Sequence, residues 1–331
     1  MKKPTVVSLI KKELQTQLFS PADRERLNRL ARIDEIEPDP EKPPRLPAET
    51  VACLTSWGSP RFTEEILTAA PDLKLVVYAA GSVRPVVSEA LWKRGIVVTS
   101  ASAAIAIGVA EHTLGLMLST LKRVCRFNEL LHQGGWYHQE ERVKIREIYG
   151  LTVGVVGAGH AGRHFIRLLK NFEVRILLYD PYLDPAEAVR LGVEPAASLE
   201  ALIPQVDVLS LHAPALPSTR DLINRENLKL FKDGALLINT ARGALIDETA
   251  LYEELLTGRL TACLDVRYPE PPVPEPPLWK LPNVILTPHI AGGVTDNMKR
   301  LGKYALRELE NFFSGRPPVY PVTERDLERM A

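Results

Sequence analysis

An excess of charge of either sign is missing from this sequence: 41 basic and 41 acidic side chains cancel across 331 residues. Such a balance offers no electrostatic footprint for nucleic acid or an anionic membrane, and neither is expected as a partner. Cysteine is scarce as well. Cys53, Cys125 and Cys263 lie far apart, with no metal-ligand spacing and no disulfide framework. They are expected as buried free thiols in a reducing cytoplasm, with no metal bound. Long apolar runs are also lacking. Residues 6–10 are too few for a signal sequence and run into Lys11 and Lys12. The stretch 101–121 is interrupted by Glu111 and His112, which predicts a buried helix rather than a membrane span.

What is present suits a soluble globular protein: 45% hydrophobic and 25% charged residues. The length favours two domains. Apolar runs at 5–9, 51–55, 75–79 and 96–99 read as strands, alternating with helical patterns at 23–31, 63–70 and 87–94. That alternation predicts a mostly parallel sheet. Residues 37–47 hold five prolines and are expected as an exposed connection. A long helix should run from Ser102 to about Leu131. Further strands are expected at 151–156, 174–179, 206–211, 235–239, 261–265 and 283–286, with a helix at 248–257. Prolines 269, 271, 272, 274, 276 and 277 mark a loop, and 295–313 is a strongly amphipathic helix. A tail helix returning to the first domain would make that domain discontinuous.

The most informative stretch is Gly157-Ala-Gly-His-Ala-Gly162, placed where the strand 151–156 should turn into a helix. Gly157 permits a tight turn, Gly159 lets the backbone approach a pyrophosphate, and Gly162 lets helix and strand pack closely. The helix N-terminus then aims free N–H groups at the phosphates. A second strand ends in Asp180, placed to bind the hydroxyls of an adenosine ribose and to repel a 2′-phosphate. NAD is therefore the expected cofactor.

Three polar residues follow later strands, at the edge where open α/β sheets bind ligands: Arg242, Glu270 and His289. A guanidinium grips a carboxylate with two parallel hydrogen bonds. An imidazole exchanges a proton near neutral pH, and a carboxylate beside it fixes its tautomer and favours its protonated form. Hydride transfer to a 2-keto acid needs this set.

These residues resemble the D-isomer-specific 2-hydroxyacid dehydrogenases, relatives of phosphoglycerate, glycerate and glyoxylate/hydroxypyruvate enzymes. The likeness runs through Arg94-Gly-Ile-Val-Val98, Val109-Ala-Glu-His-Thr113, the glycine turn, Leu211-His-Ala-Pro214, Asn239-Thr-Ala-Arg-Gly243, Leu264-Asp-Val266 with Glu270-Pro271, and Thr287-Pro-His-Ile-Ala-Gly292. The resemblance implies two Rossmann-like doubly wound α/β domains. A nucleotide-binding domain, 103–294, would be inserted into a discontinuous flavodoxin-like substrate domain, 1–102 with 295–331. It implies Arg242, Glu270 and His289 as the catalytic set. Cofactor contacts would fall on Gly157, Gly159, His160, Ala161, Gly162, Asp180, Ala213, Thr240 and Ala241, with Asp265 at the nicotinamide carboxamide. Substrate would meet Arg242, Trp57 and the backbone N–H groups of Gly81 and Ser82, in a cleft between the domains. A homodimer formed through the nucleotide domain is implied too.

The sequence departs from that pattern at several places. The substrate loop reads Ala80-Gly-Ser-Val-Arg-Pro85, and Arg84 raises the expectation of a second anionic group on the substrate. Trp57 stands where phosphate-binding relatives offer basic residues, and Arg267 replaces a usual aromatic. His138, beside Trp136 and Tyr137, is expected in a dimer or cleft loop. Two alternatives stay open: an NADH-sensing, corepressor-like binding protein, and a related dehydrogenase whose substrate is not a hydroxy acid.

Overall fold

A computed structural model describes residues 3–136, 138–273 and 277–330. Tyr137, Pro274 and Pro276 lie outside the described residues. The chain divides into two compact units, Met1–Ala106 with Gly292–Ala331, and Ile107–Ala291.

The first unit holds the strands β1 (Thr5–Ser8), β2 (Arg32–Glu35), β3 (Thr50–Thr55), β4 (Leu75–Tyr78) and β5 (Val97–Ser100). They run parallel in the order β2-β1-β3-β4-β5, the flavodoxin-like arrangement, and the short strand Pro321–Val322 adds antiparallel to β5. Successive side chains go to opposite faces: Val6, Ala52, Leu75 and Val77 join one core, and Val7, Cys53, Val76 and Tyr78 the other. Both faces are therefore covered, as an all-parallel sheet requires. The helix Thr295–Phe313 returns to this unit and packs on the helices Lys12–Leu18 and Pro21–Leu30. A Cβ on Gly302 would lie 1.9 Å from the Leu18 carbonyl oxygen, so only glycine allows that approach. Buried Glu308 accepts the N–H groups of Val319 and Tyr320 at 3.0 Å, which ties the last strand to the helix.

The second unit holds β6 (Thr152–Val156), β7 (Arg175–Tyr179), β8 (Glu194–Pro195), β9 (Val208–Leu211), β10 (Leu236–Asn239), β11 (Thr261–Leu264) and β12 (Val284–Leu286). All run parallel, in the order β8-β7-β6-β9-β10-β11-β12. The order reverses between β6 and β9, which is where such sheets bind ligands beyond the strand ends. Val153, Val155, Val208 and Ile238 fill one face, and Val156, Leu209, Leu211 and Leu237 the other.

Four expectations need correction. The long helix stops at Leu121. Arg123 takes a left-handed backbone (φ 55°), and a separate helix, Val124–Gln133, follows. Helix Ser102–Leu121 is not buried throughout. By length and composition it could cross a membrane, and only 33% of it is buried, a face that includes Ala106, Ala110, Thr113 and Met117. Cys125 is exposed, whereas Cys53 and Cys263 are buried. Within 37–47, Leu46 turns inward and joins the core beside Cys53. The charged edge strand β2 and the helix Lys12–Leu18 were not expected, because neither has a clear apolar period.

Candidate active site

The glycine turn is built as close packing demands. Gly157 has φ +98°, and a Cβ there would meet the backbone of Ala213 and His212 at 2.8 Å. A Cβ on Gly162 would fall 2.1 Å from the Gly157 carbonyl oxygen. Gly159 is the N-cap of the helix His160–Leu169 and has nothing within 4 Å of its Cβ direction. The backbone there is thus open to an approaching group, with His160 and Ala161 opening the helix. Asp180, just past β7, reaches back to the turn: one carboxylate oxygen accepts the Ala158 N–H at 2.7 Å, the other the Tyr182 N–H at 2.9 Å.

Behind the turn sits His212, buried among its neighbours. Its Nε2 is 2.9 Å from the Ser210 hydroxyl, and its ring lies 5.2 Å from that of Phe165. Burial pushes its pKa down to about 3, so the ring is neutral. Ala213 follows it, buried against Gly157. Thr240, at the end of β10, shares a 2.8 Å hydroxyl contact with Thr113. The signals for His212 and Thr113 were in the sequence, inside Leu211-His-Ala-Pro214 and Val109-Ala-Glu-His-Thr113.

Asn239, fully buried, shapes the turn that carries Arg242. Its Nδ2 donates to the Arg242 carbonyl at 2.8 Å, and its Oδ1 accepts the Ala241 N–H at 3.1 Å. Arg242 donates through Nη1 to the Ala241 carbonyl at 2.6 Å. Burial lowers its pKa from the ordinary guanidinium value, and the Glu270 charge opposes that shift. Gly243 presses on the next loop: a Cβ there would meet the Arg267 carbonyl carbon at 2.0 Å. Arg267, itself buried, pairs through Nε and Nη2 with Glu248 on the helix Glu248–Leu256. This pairing anchors the loop that leads to Glu270.

Glu270 and His289 meet. Glu270 Oε1 is 2.5 Å from His289 Nδ1, and both side chains are partly open to solvent. The ring nitrogen left for other work is Nε2. His289 has φ 53°, uncommon outside glycine. Its N–H donates to the carbonyls of Asp265 and Thr287 at 2.8 and 3.1 Å. Asp265, expected at the nicotinamide carboxamide, is only 1% exposed. Its carboxylate accepts from the Thr287 hydroxyl at 2.5 Å and from the Ile290 and Ala291 N–H groups at 2.9 and 3.0 Å. It therefore holds the His289 loop. His112 lies 3.3 Å from the Thr287 hydroxyl and 3.7 Å from Asp265.

The remaining expected residues belong to the first unit. Trp57 is 36% exposed and lies against Gly293. Gly81, half-buried, accepts the Ser100 hydroxyl at its carbonyl (2.6 Å). Arg84, expected to face a second anionic group, is turned elsewhere: its guanidinium donates to the carbonyls of Leu327 and Met330. Among the described residues, no cluster of His, Cys, Asp and Glu could hold a metal.

Comparisons with known proteins place the chain in a family. Residues 114–291 match the model of the D-isomer specific 2-hydroxyacid dehydrogenase NAD-binding domain. The chain is 37% identical to a D-3-phosphoglycerate dehydrogenase of Methanocaldococcus jannaschii, over 77% of this chain and 48% of that protein. It thus spans about half the length of that relative. It is 35% identical to a hydroxypyruvate reductase of Thermotoga maritima, over 76% of this chain and 81% of the other. A solved structure of an NADPH-dependent glyoxylate/hydroxypyruvate reductase from Sinorhizobium meliloti, in complex with citrate, superposes with a TM-score of 0.77 at 27% identity, covering 97% of this chain and 98% of that one.

Proposed function

The chain belongs to the D-isomer specific 2-hydroxyacid dehydrogenases, and from that premise we propose that it interconverts a D-2-hydroxy acid and its 2-keto acid with NAD(H). The observation that carries this reading is the 2.5 Å contact of His289 Nδ1 with Glu270 Oε1, in the unit that also holds the glycine turn and Arg242. The residues present suit a dinucleotide. Gly157 and Gly162 have no room for side chains, Gly159 leaves the helix N-terminus open, and Asp180 borders the turn. His160, Ala161, Ala213, Thr240 and Ala241 would complete its contacts, and Asp180 would repel a 2′-phosphate, favouring NAD.

When bound, the nicotinamide supplies the hydride to C2 in reduction and takes it back in oxidation. Arg242 binds the substrate carboxylate through two parallel N–H bonds. His289 donates its Nε2 proton to the carbonyl oxygen in reduction, and neutral His289 recovers it in oxidation. Glu270 fixes the tautomer by accepting the Nδ1 proton. Trp57 and the backbone N–H groups of Gly81 and Ser82 are assigned to the substrate as well. Residues 1–102 with 295–331 then form the substrate domain, and 103–294 the cofactor domain.

A homodimer is part of the proposal. Val124, Leu131, Trp136, Val143, Ile145 and Tyr149 are exposed apolar residues within one stretch of the second unit, which a second copy would cover. Light scattering on the eluting peak should give twice the chain mass. Three free cysteines suit a cytoplasmic location. The test of the activity is loss of reduced-nicotinamide absorbance with glyoxylate, hydroxypyruvate, phosphohydroxypyruvate, pyruvate and bulkier keto acids. Turnover that disappears in His289→Ala supports the proposal. Tight NADH binding without turnover on any acid would replace it with a binding role.

A further inference from the structure

The helix His160–Leu169 carries a feature that the proposed reaction does not use. His160, Arg163, His164, Arg167 and, just past its end, Lys170 recur at spacings of three and four, so one face of the helix is basic. Arg190, from the helix Pro185–Leu191, closes a groove of about 330 Å³, and Ile166 and Leu191 add its apolar wall. No acidic residue lines it. Arg163 is neutralised by Glu187 and also donates to the Ala158 carbonyl at 2.5 Å. Arg167 meets the imidazole of His164 at 2.9 Å, and the Lys170 ammonium lies by the turn at Gly192, two residues past Arg190. The Glu187 charge also reaches Arg190.

Arg167, Lys170 and Arg190 surround one concavity with Arg163, and the Glu187 carboxylate that reaches both Arg163 and Arg190 cannot balance all four cations. A cleft lined by one sign of charge focuses its field and gathers the opposite ion. Two guanidinium groups and an ammonium match phosphate in charge and in hydrogen-bond geometry. We propose that this groove is a phosphate-binding subsite, separate from the glycine turn and adjoining it through His160. Its ligand is a free phosphorylated small molecule, because Asp180 beside the glycine turn would repel the 2′-phosphate of an NADP-type dinucleotide. The groove itself does not rest on reading the glycine turn as a dinucleotide site.

Calorimetry with inorganic pyrophosphate tests the proposal on the full chain, with and without saturating NADH. The comparison is the triple variant Arg167→Gln, Lys170→Gln, Arg190→Gln; Arg190→Gln alone, at the end of a surface helix, gives a second, milder comparison. Pyrophosphate should bind equally well with NADH present. It should bind about tenfold or more weakly to the triple variant, whose unfolding midpoint and NADH affinity stay the same. Unchanged affinity for both NAD and NADP in the triple variant supports a free ligand; a loss of NADP affinity with NAD affinity intact overturns it. Absent binding, binding indifferent to the substitutions, or binding abolished by NADH overturns the subsite. Failure of the dinucleotide reading is distinct: wild-type protein would bind no NADH, whatever pyrophosphate does.

Discussion

Glu270 and His289 are joined at 2.5 Å through Oε1 and Nδ1, although they arrive on different loops 19 residues apart in sequence. A second carboxylate, that of Asp265, holds the same histidine from below, through the N–H groups of Ile290 and Ala291. One acid orients the ring, and the other orients its backbone. Substituting each should therefore fail differently.

Glu270→Gln keeps the size of the side chain and removes its charge. Its amide can still contact Nδ1, but it no longer selects the tautomer that leaves Nε2 as the working nitrogen. We expect kcat to fall by roughly 10²-fold, with NADH affinity and the unfolding midpoint unchanged. Asp265→Asn puts an amide where three donors converge, so it should lower stability along with activity. Steady-state kinetics beside thermal unfolding separate the two. Equal loss of stability in both variants would contradict the division of labour.

Arg242→Lys retains the positive charge and loses the paired N–H geometry. Asn239 fixes the turn through backbone atoms of residues 241 and 242, so the turn itself should survive. The expected result is a fall of about 10²-fold in kcat/KM for every 2-keto acid, with NADH binding intact. A variant as active as wild type would remove Arg242 from the carboxylate.

His212 makes stability depend on pH. Burial holds its folded pKa at about 3, well below the ordinary imidazole value. Above the ordinary value both states are neutral, and the histidine adds no dependence. As pH falls below it, the unfolded chain takes up a proton that the folded chain refuses, so stability is lost progressively toward pH 3. At pH 5 the loss is about 2 kcal/mol. Thermal midpoints between pH 8 and pH 5 should fall more steeply for wild type than for His212→Asn. Parallel curves would show that the ring is solvated.

Much of this was readable from residues alone, and the reasons are physical. Parallel strands buried on both faces leave short apolar runs such as 75–78 and 208–211, and a glycine turn leaves glycines that sterics will not let vary, so both are written locally. The break at Arg123 was not readable, because the apolar pattern continues across it and only a left-handed residue interrupts the helix. The charged strand β2 was missed because its place at the sheet edge is set by pairing with β1, not by its composition. In the site, Arg242, Glu270 and His289 stood out as polar residues after strands. The inward turn of the Asp265 carboxylate depends on N–H groups 25 and 26 residues away, which no local pattern encodes.

Arg84 illustrates the same limit at the proposed substrate loop. From the sequence it promised a second anion site, yet its guanidinium caps the short turn Arg325–Glu328 through the carbonyls of Leu327 and Met330. A cation at the carbonyl end of a helical turn is favourable. Arg84→Met should thus leave the preference among singly and doubly charged keto acids unchanged, while protease cleavage within 323–330 becomes faster. A selective rise in KM for the doubly charged acids would restore the anion site.

Gly162 offers the sharpest test of the cofactor turn. An added Cβ would stand 2.1 Å from the Gly157 carbonyl oxygen, a backbone atom that cannot swing aside. Gly157 in turn is wedged against the backbone of His212 and Ala213, so the strain cannot pass to a flexible side chain. The helix His160–Leu169 must instead shift off β6, carrying its open N-terminus with it. Gly162→Ala should therefore weaken NADH binding by about tenfold or more and lower the unfolding midpoint. Gly159→Ala meets nothing within 4 Å, so it should leave the unfolding midpoint unchanged and weaken NADH alone, because its methyl group would occupy the approach to the phosphates. If Gly159→Ala bound NADH as wild type does, the pyrophosphate would have to lie away from this turn, and the dinucleotide assignment would fall with it.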